Sequence, residues 1–281
     1  MAKHLPLRTL AAALCVSAAA LTSAVPAAAQ TVSTLPAGTW SVLPETTAAG
    51  SAAIVSGPGT PPAGTGSLHL HVAAETDRVL VGTDLGSLIS RPWSGLGATY
   101  STYVAAGGSQ EFTPTLRFAG FQTVTPAPAN FTTLSFEPKR NGTFLAGQWQ
   151  SWTLGPDAIV WQTNTTDGFC GQGAPCTFAA FVAQYPQGAW GQAQLGIGTG
   201  VVGPADGFAD DVTLVDGATT QNTNFDPPPT TTRSPSAVAS PTTGPTLPLT
   251  GTRTRPMLIA AGLLLITGFV IVVAARRRVL R

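Results

Sequence analysis

Thirteen carboxylates, three histidines, three cysteines and six tryptophans are the side chains of this 281-residue chain best equipped for chemistry. His69 and His71 alternate with apolar neighbours in Leu68-His69-Leu70-His71-Val72, so they leave a strand on one face. They would ligate a metal only with a third partner, which the spacing does not identify, and a solvated polar face is the competing reading. Asp206, Asp210 and Asp211 stand beside a Gly-rich turn and offer the hard oxygen ligands of a structural calcium site. Strand alternation sends Asp210 and Asp211 to opposite faces. Glycoside hydrolysis needs two facing carboxyls; Glu137 and the Asp210/Asp211 pair are available, but nothing in the sequence brings them together. No Ser nucleophile elbow, His-Glu-x-x-His helix or phosphate-binding Gly-Lys loop is present. The chain is therefore expected to be non-enzymatic, with structural calcium as its one candidate cofactor. Flat aromatic rings can stack on sugars, and Trp93, Trp149 and Trp190 are the candidates. Trp93 and Trp190 lie in Gly/Pro-rich loops that a ligand can reach, and Trp149 and Trp152 differ by an odd number, which leaves one free to face outward. For each of them a core plug is the alternative.

The two ends say where these groups sit. Lys3, His4 and Arg8 precede an apolar run over 10–21 and then Ala27-Ala28-Ala29, the order of a secretory signal peptide, so residues 1–29 are expected to be a cleaved signal helix. A membrane anchor competes with this reading, but the run is short and Pro26 breaks it. At the other end, 257–275 is almost uniformly apolar and is followed by Arg276-Arg277-Arg278 and Arg281. This is expected to be a transmembrane helix with a cytoplasmic tail over 276–281, which would place the N-terminus outside the plasma membrane. Between them, 227–250 holds seven Pro, seven Thr and three Ser, a composition expected to stay extended as a stalk.

Leu247-Pro248-Leu249-Thr250-Gly251, the apolar helix and the Arg tail together resemble the cell-wall sorting signal of Gram-positive surface proteins. The resemblance implies sortase as a partner, which cleaves between Thr250 and Gly251 and joins the Thr250 carboxyl covalently to peptidoglycan. An ordinary single-pass anchor with a chance LPLTG is the alternative. In such an exported chain Cys170 and Cys176, the cysteines left after signal removal, are expected to close a disulfide loop; zinc would need further ligands.

The remaining stretch, 30–226, is expected to be one ectodomain. It carries five basic residues against thirteen carboxylates, a formal charge of −8, which argues against nucleic acid as a partner. Strand-like runs at 39–43, 52–56, 68–72, 79–83, 98–104, 115–121, 131–136, 149–154, 159–162, 193–197 and 209–215 are separated by Gly, Pro, Asn and Asp, and Asn141-Gly142 reads as a hairpin turn. Phe178, Phe181, Val182 and Tyr185 have helical spacing, with Thr177 placed to cap and Pro186 to stop. The fold expected is mainly β, an antiparallel jelly-roll-like sandwich with one short helix.

From Gln148-Trp149-Gln150-Ser151-Trp152 through the cysteine loop to Gly207-Phe208-Ala209-Asp210-Asp211-Val212, the motif order resembles jelly-roll ectodomains of secreted proteins from high-GC Gram-positive bacteria. The closing Asp-Asp-Val strand is similar to those of laminin-G-like and carbohydrate-binding sandwiches. The resemblance implies the fold and leaves the function open. The expectation is a secreted, wall-anchored protein displaying an adhesion or carbohydrate-binding sandwich, with a glycan or a host or neighbour surface as ligand. A structural envelope protein without a ligand comes next, and an extracellular glycan hydrolase last.

Overall fold

The computed structural model describes residues 30–31, 35, 39–198, 201 and 203–228. The expected signal peptide over 1–29, the stalk from residue 229 onward, the sorting motif from Leu247 to Gly251, the apolar helix over 257–275 and the Arg-rich tail lie outside the described residues. Among the described residues no helix is long and apolar enough to cross a membrane.

In chain order the strands are β1 (Gln30–Thr31), β2 (Trp40–Val42), β3 (Ser51–Ser56), β4 (Gly66–Val72), β5 (Val79–Asp84), β6 (Arg91–Pro92), β7 (Leu96–Tyr103), β8 (Thr115–Phe121), β9 (Phe131–Phe136), β10 (Gln150–Leu154), β11 (Ile159–Gln162), β12 (Cys176–Thr177), β13 (Ala189–Ile197), β14 (Ala205–Asp216) and β15 (Thr219–Asn224); helix α1 (Phe178–Gln184) follows β12. They form two sheets, so the antiparallel sandwich read from the sequence is the fold. In the first sheet β14 is central, pairing with β4 and β15 on one side and β7 on the other, while β3 and β10 lie beyond β4 and β7. The second sheet runs β12-β11-β9-β8-β13-β5-β2, with β6 beside β13. All pairs are antiparallel except β1 with β15. The chain passes repeatedly from one sheet to the other, as in a jelly roll.

Alternation along the strands builds the core between the sheets. In β4, Leu68, Leu70 and Val72 are wholly buried while His69 and His71 face out. In β8, Leu116 and Phe118 point in and Arg117 points out. Tyr100 and Trp152 from the first sheet meet Phe136, Leu134 and Leu195 from the second in one continuous cluster. Trp40 closes the core against Phe225, with ring centroids 5.4 Å apart.

Each run expected to be a strand lies on one. The strands not foreseen are β1, β6, β12 and β15: the first three are too short to show a period, and β15, Thr-Thr-Gln-Asn-Thr-Asn, has no apolar alternation. Helix α1 is as expected, with Thr177 Oγ1 accepting from the Ala180 N–H at 3.2 Å. The hairpin at Asn141-Gly142 is not. Strand β9 pairs within the second sheet and β10 within the first, so this loop crosses between sheets. The Asn141 side chain donates to the carbonyls of Glu137 and Ile159 and accepts from the Ile159 N–H, at 2.8, 2.9 and 2.7 Å. It fastens the end of β9 to the start of β11 rather than turning a two-stranded ribbon.

Candidate functional site

Two of the three candidate tryptophans are core residues. Trp93 and Trp190 have no exposed surface. The Trp93 indole N–H donates to the Phe121 carbonyl at 2.9 Å, and its ring stands edge-on to Phe181 at 5.3 Å. Trp190 meets Phe118 in the same way at 5.2 Å. Neighbouring glycines allow the burial: a Cβ on Gly188 would lie 2.5 Å from Trp93 Cδ1, and one on Gly120, in β8, 2.9 Å from Trp93 Cζ2. Neither ring has a face left for a sugar.

Trp149 remains half-exposed, on the outer face of the first sheet. There it ends a transverse row. His69 and Phe208 are register partners across β4 and β14, and Phe208 and Tyr103 across β14 and β7. His69 stacks on Phe208 at 4.6 Å, Phe208 meets Tyr103 at 6.0 Å, and Tyr103 meets Trp149 at 5.7 Å. The last two pairs lie at 75° and 46°, so the row is not a flat platform. At its edge Asp206 Oδ1 bonds both His69 Nε2 at 2.6 Å and His71 Nδ1 at 3.0 Å. Partial burial works against its charge, but the two histidine hydrogen bonds outweigh that and hold its carboxyl below the usual aspartate range.

The three aspartates considered for calcium have separate surroundings. Asp210 is wholly buried, and it accepts from the N–H groups of Ala63 at 3.0 Å and Phe225 at 3.1 Å. Burial pushes its carboxyl up to about 6 against the pull of those N–H groups. Asp211 is exposed and left-handed, with φ 51°, at a bulge where the register with β7 jumps between Asp210 and Thr213. Among the described residues no three His, Cys, Asp or Glu side chains form a metal-holding group.

The outer face of the second sheet carries a row of another kind. Trp161 of β11 is the register partner of Ser135 of β9, Ser135 of Arg117 of β8, and Arg117 of Gln194 of β13, so all four project from one face. At one end of this face the loop over 109–113, the turn at Pro138–Arg140 and the disulfide loop between Cys170 and Cys176 rise as walls. They enclose a cleft of about 420 Å³ lined by Trp161, Arg117, Glu137, Lys139, Gln172 and Thr113, among others. That volume falls within the range of small-ligand sites, roughly 300–1,000 Å³.

The polar atoms of this cleft are unusual. Seven buried side-chain nitrogens or oxygens of the described residues have no hydrogen-bond partner, and three of them belong to residues that line this cleft: Thr113 Oγ1, Arg117 Nε and Trp161 Nε1. An unmade hydrogen bond on a buried group costs about 1–3 kcal/mol, so these atoms call for a polar partner, whether water or a ligand. The walls, by contrast, are well braced. Lys139 pairs with Glu111. Arg140 Nε lies 2.7 Å from Glu137 Oε2, and Arg140 Nη2 donates to the Gln172 carbonyl at 3.1 Å. The Cys170–Cys176 disulfide expected from the sequence closes the loop that carries Gln172.

No protein-family description matches the chain, and neither does any curated protein. Among solved structures it is similar to the family 11 carbohydrate-binding module from Clostridium thermocellum in complex with a β-1,3-1,4-mixed-linked tetrasaccharide. That likeness has 10% identity and a TM-score of 0.38 and covers 64% of this chain and 89% of that one. It is similar also to a structure titled for the promiscuous specificity of carbohydrate-binding modules of the β-sandwich superfamily, at 13% identity and TM-score 0.33 over 64% of this chain and 58% of that one. An exo-β-agarase gives 12% identity and TM-score 0.32 over 68% and 24%. Likenesses at these scores carry no argument about what this chain does, so its cleft has to speak for itself.

Thr113, Arg117, Ser135 and Trp161 were not singled out by the sequence. Arg117 stands in an alternating strand like any exposed residue, and only the pairing of β8, β9 and β11 puts it beside Ser135 and Trp161.

Proposed function

We propose that the sandwich over 39–228 is a non-enzymatic carbohydrate-binding module and that the cleft on its second sheet holds the glycan. The observation that carries this is the group of three unpartnered buried polar atoms, Thr113 Oγ1, Arg117 Nε and Trp161 Nε1, around one cavity. Sugar hydroxyls both donate and accept, so a single oligosaccharide can satisfy an indole N–H, a guanidinium N–H and a threonine hydroxyl together. Trp161 adds an aromatic surface at the cleft wall. We further propose, from the sorting-signal resemblance, that sortase attaches the protein to peptidoglycan through Thr250 and so displays the module outside the cell.

Affinity electrophoresis of the full-length chain through gels containing neutral and acidic polysaccharides tests the binding. Retardation by at least one polysaccharide, lost in Trp161→Ala and kept in Tyr103→Ala, is the expected result. Retention in Trp161→Ala with loss in Tyr103→Ala would move the site to the aromatic row of the first sheet, the second reading, which the half-exposed Trp149 and Tyr103 favour. A hydrolase reading has one feature behind it, since Glu111 and Glu137 both line the cleft. Each is engaged by a cation, and the proposal expects no release of reducing sugar from any glycan that binds.

A further inference from the structure

The domain is acidic, yet its positive charge is gathered in one place. Residues 30–228 hold five basic side chains against thirteen carboxylates. Arg78, Arg117 and Lys139 line the cleft on the second sheet, and Arg140 braces its wall, so four of the five are there. Of the thirteen carboxylates, Glu111 and Glu137 are the two that line it. These two are matched by Lys139 and Arg140. Arg78 and Arg117 have no carboxylate partner among the described residues, and Arg78 Nε donates instead to the Glu45 carbonyl at 2.6 Å.

Arg117 is the more telling of the two. Its Nε is buried without a hydrogen bond, and its guanidinium makes no ion pair with any described residue. Burial works against its charge, and neighbouring Arg78 adds to that, with Glu137 opposing. Gly198 leaves the space the guanidinium occupies: a Cβ there would lie 2.8 Å from Arg117 Nη2. The Arg117 side chain is half-buried, but with its Nε enclosed and Glu137 already held by Arg140 its guanidinium remains open to a further anion, and the planar guanidinium fork matches a carboxylate through two parallel hydrogen bonds.

We propose that the glycan held in this cleft is acidic, and that a uronic-acid carboxylate pairs with Arg117. This rests on the glycan-binding reading of the same cleft and names the ligand class within it. Thr113 and Trp161 are then left to the ring hydroxyls, and Arg78, which also lines the cleft, draws the acidic chain in.

The test measures binding of the full-length chain, held in a detergent that carries no sugar, to polygalacturonate, alginate and hyaluronan, each beside its methyl ester. Dextran and dextran sulfate are run in parallel. At least one uronate is expected to bind ten-fold or more tightly than its ester, and more weakly as salt rises. Arg117→Gln should remove that preference. Gly198→Ala keeps the arginine but displaces the flexible end of its side chain, so it should reduce the preference several-fold without altering the thermal midpoint by more than a few degrees. Equal binding of acid and ester, binding of neutral dextran alone, or binding of dextran sulfate alone would overturn the carboxylate assignment while leaving glycan binding in place. A preference that survives both variants would overturn the role of Arg117. Binding to none of the eight polymers would overturn both the assignment and the function beneath it.

Discussion

Asp210 shows how one side chain couples two distant segments. It lies on β14 with no exposed surface, and its two oxygens receive the N–H of Ala63 from the loop before β4 and of Phe225 from the end of β15. Burial raises its carboxyl to about 6, above the ordinary aspartate value of about 3.9. The folded state therefore holds the proton more tightly than the unfolded chain. The stability this contributes is complete below about pH 4 and is lost as the pH rises through about 6. Urea unfolding midpoints of the wild type, compared with Asp210→Asn across pH 4 to 7, should show the wild type losing up to about 2–3 kcal/mol relative to the variant over that window. Parallel pH profiles for the two proteins would show that Asp210 does not titrate there. The sequence marked Asp210 as a metal ligand because Asp-Asp beside glycine suggests oxygen donors. That it accepts backbone N–H groups depends on β14 running beside a loop and a strand end far from it in sequence.

At the scale of elements, strands were legible and their partners were not. The alternation in β4 and β8 told which side chains face the core, since one buried face demands it. Pairing order is set by packing between segments distant in sequence, so neither the row Trp161–Ser135–Arg117–Gln194 nor the row His69–Phe208–Tyr103 could be read in advance. The same limit misplaced Asn141-Gly142, whose turn chemistry is genuine but serves a crossing between sheets. It misplaced Trp93 and Trp190 as well, because glycine signals both an open loop and a close approach. The disulfide was foreseen, and its role in the cleft was not. It closes the loop that presents Gln172, whose carbonyl is held by Arg140. Replacing both cysteines by serine should cost about 2 kcal/mol of stability, as expected for so short a loop. Glycan affinity should fall several-fold, measured at a temperature where the variant is still folded. Unchanged affinity in the folded variant would mean that the loop is not a wall of the site.

Across the whole molecule, the charge has a direction. An acidic sandwich keeps four of its five cations at one cleft, and we propose, from the sorting-signal resemblance, that it is displayed outside the membrane. Anchoring is tested by fractionating cells that carry the wild type or Thr250→Ala. The wild type is expected to be released by muramidase and the variant to be lost from the wall fraction. Extraction of both by detergent alone would indicate an ordinary membrane anchor. The claim on which the rest depends is that the second-sheet cleft holds a glycan, and hydrogen exchange of the full-length chain with and without its tightest-binding polysaccharide addresses it most directly. Slowed exchange in the loop over 109–113, the turn at Pro138–Arg140 and the disulfide loop over 171–175, with 104–108 and 146–149 unchanged, is the predicted footprint. Slowing at 104–108 and 146–149 around Trp149, with the cleft walls unaffected, would contradict it.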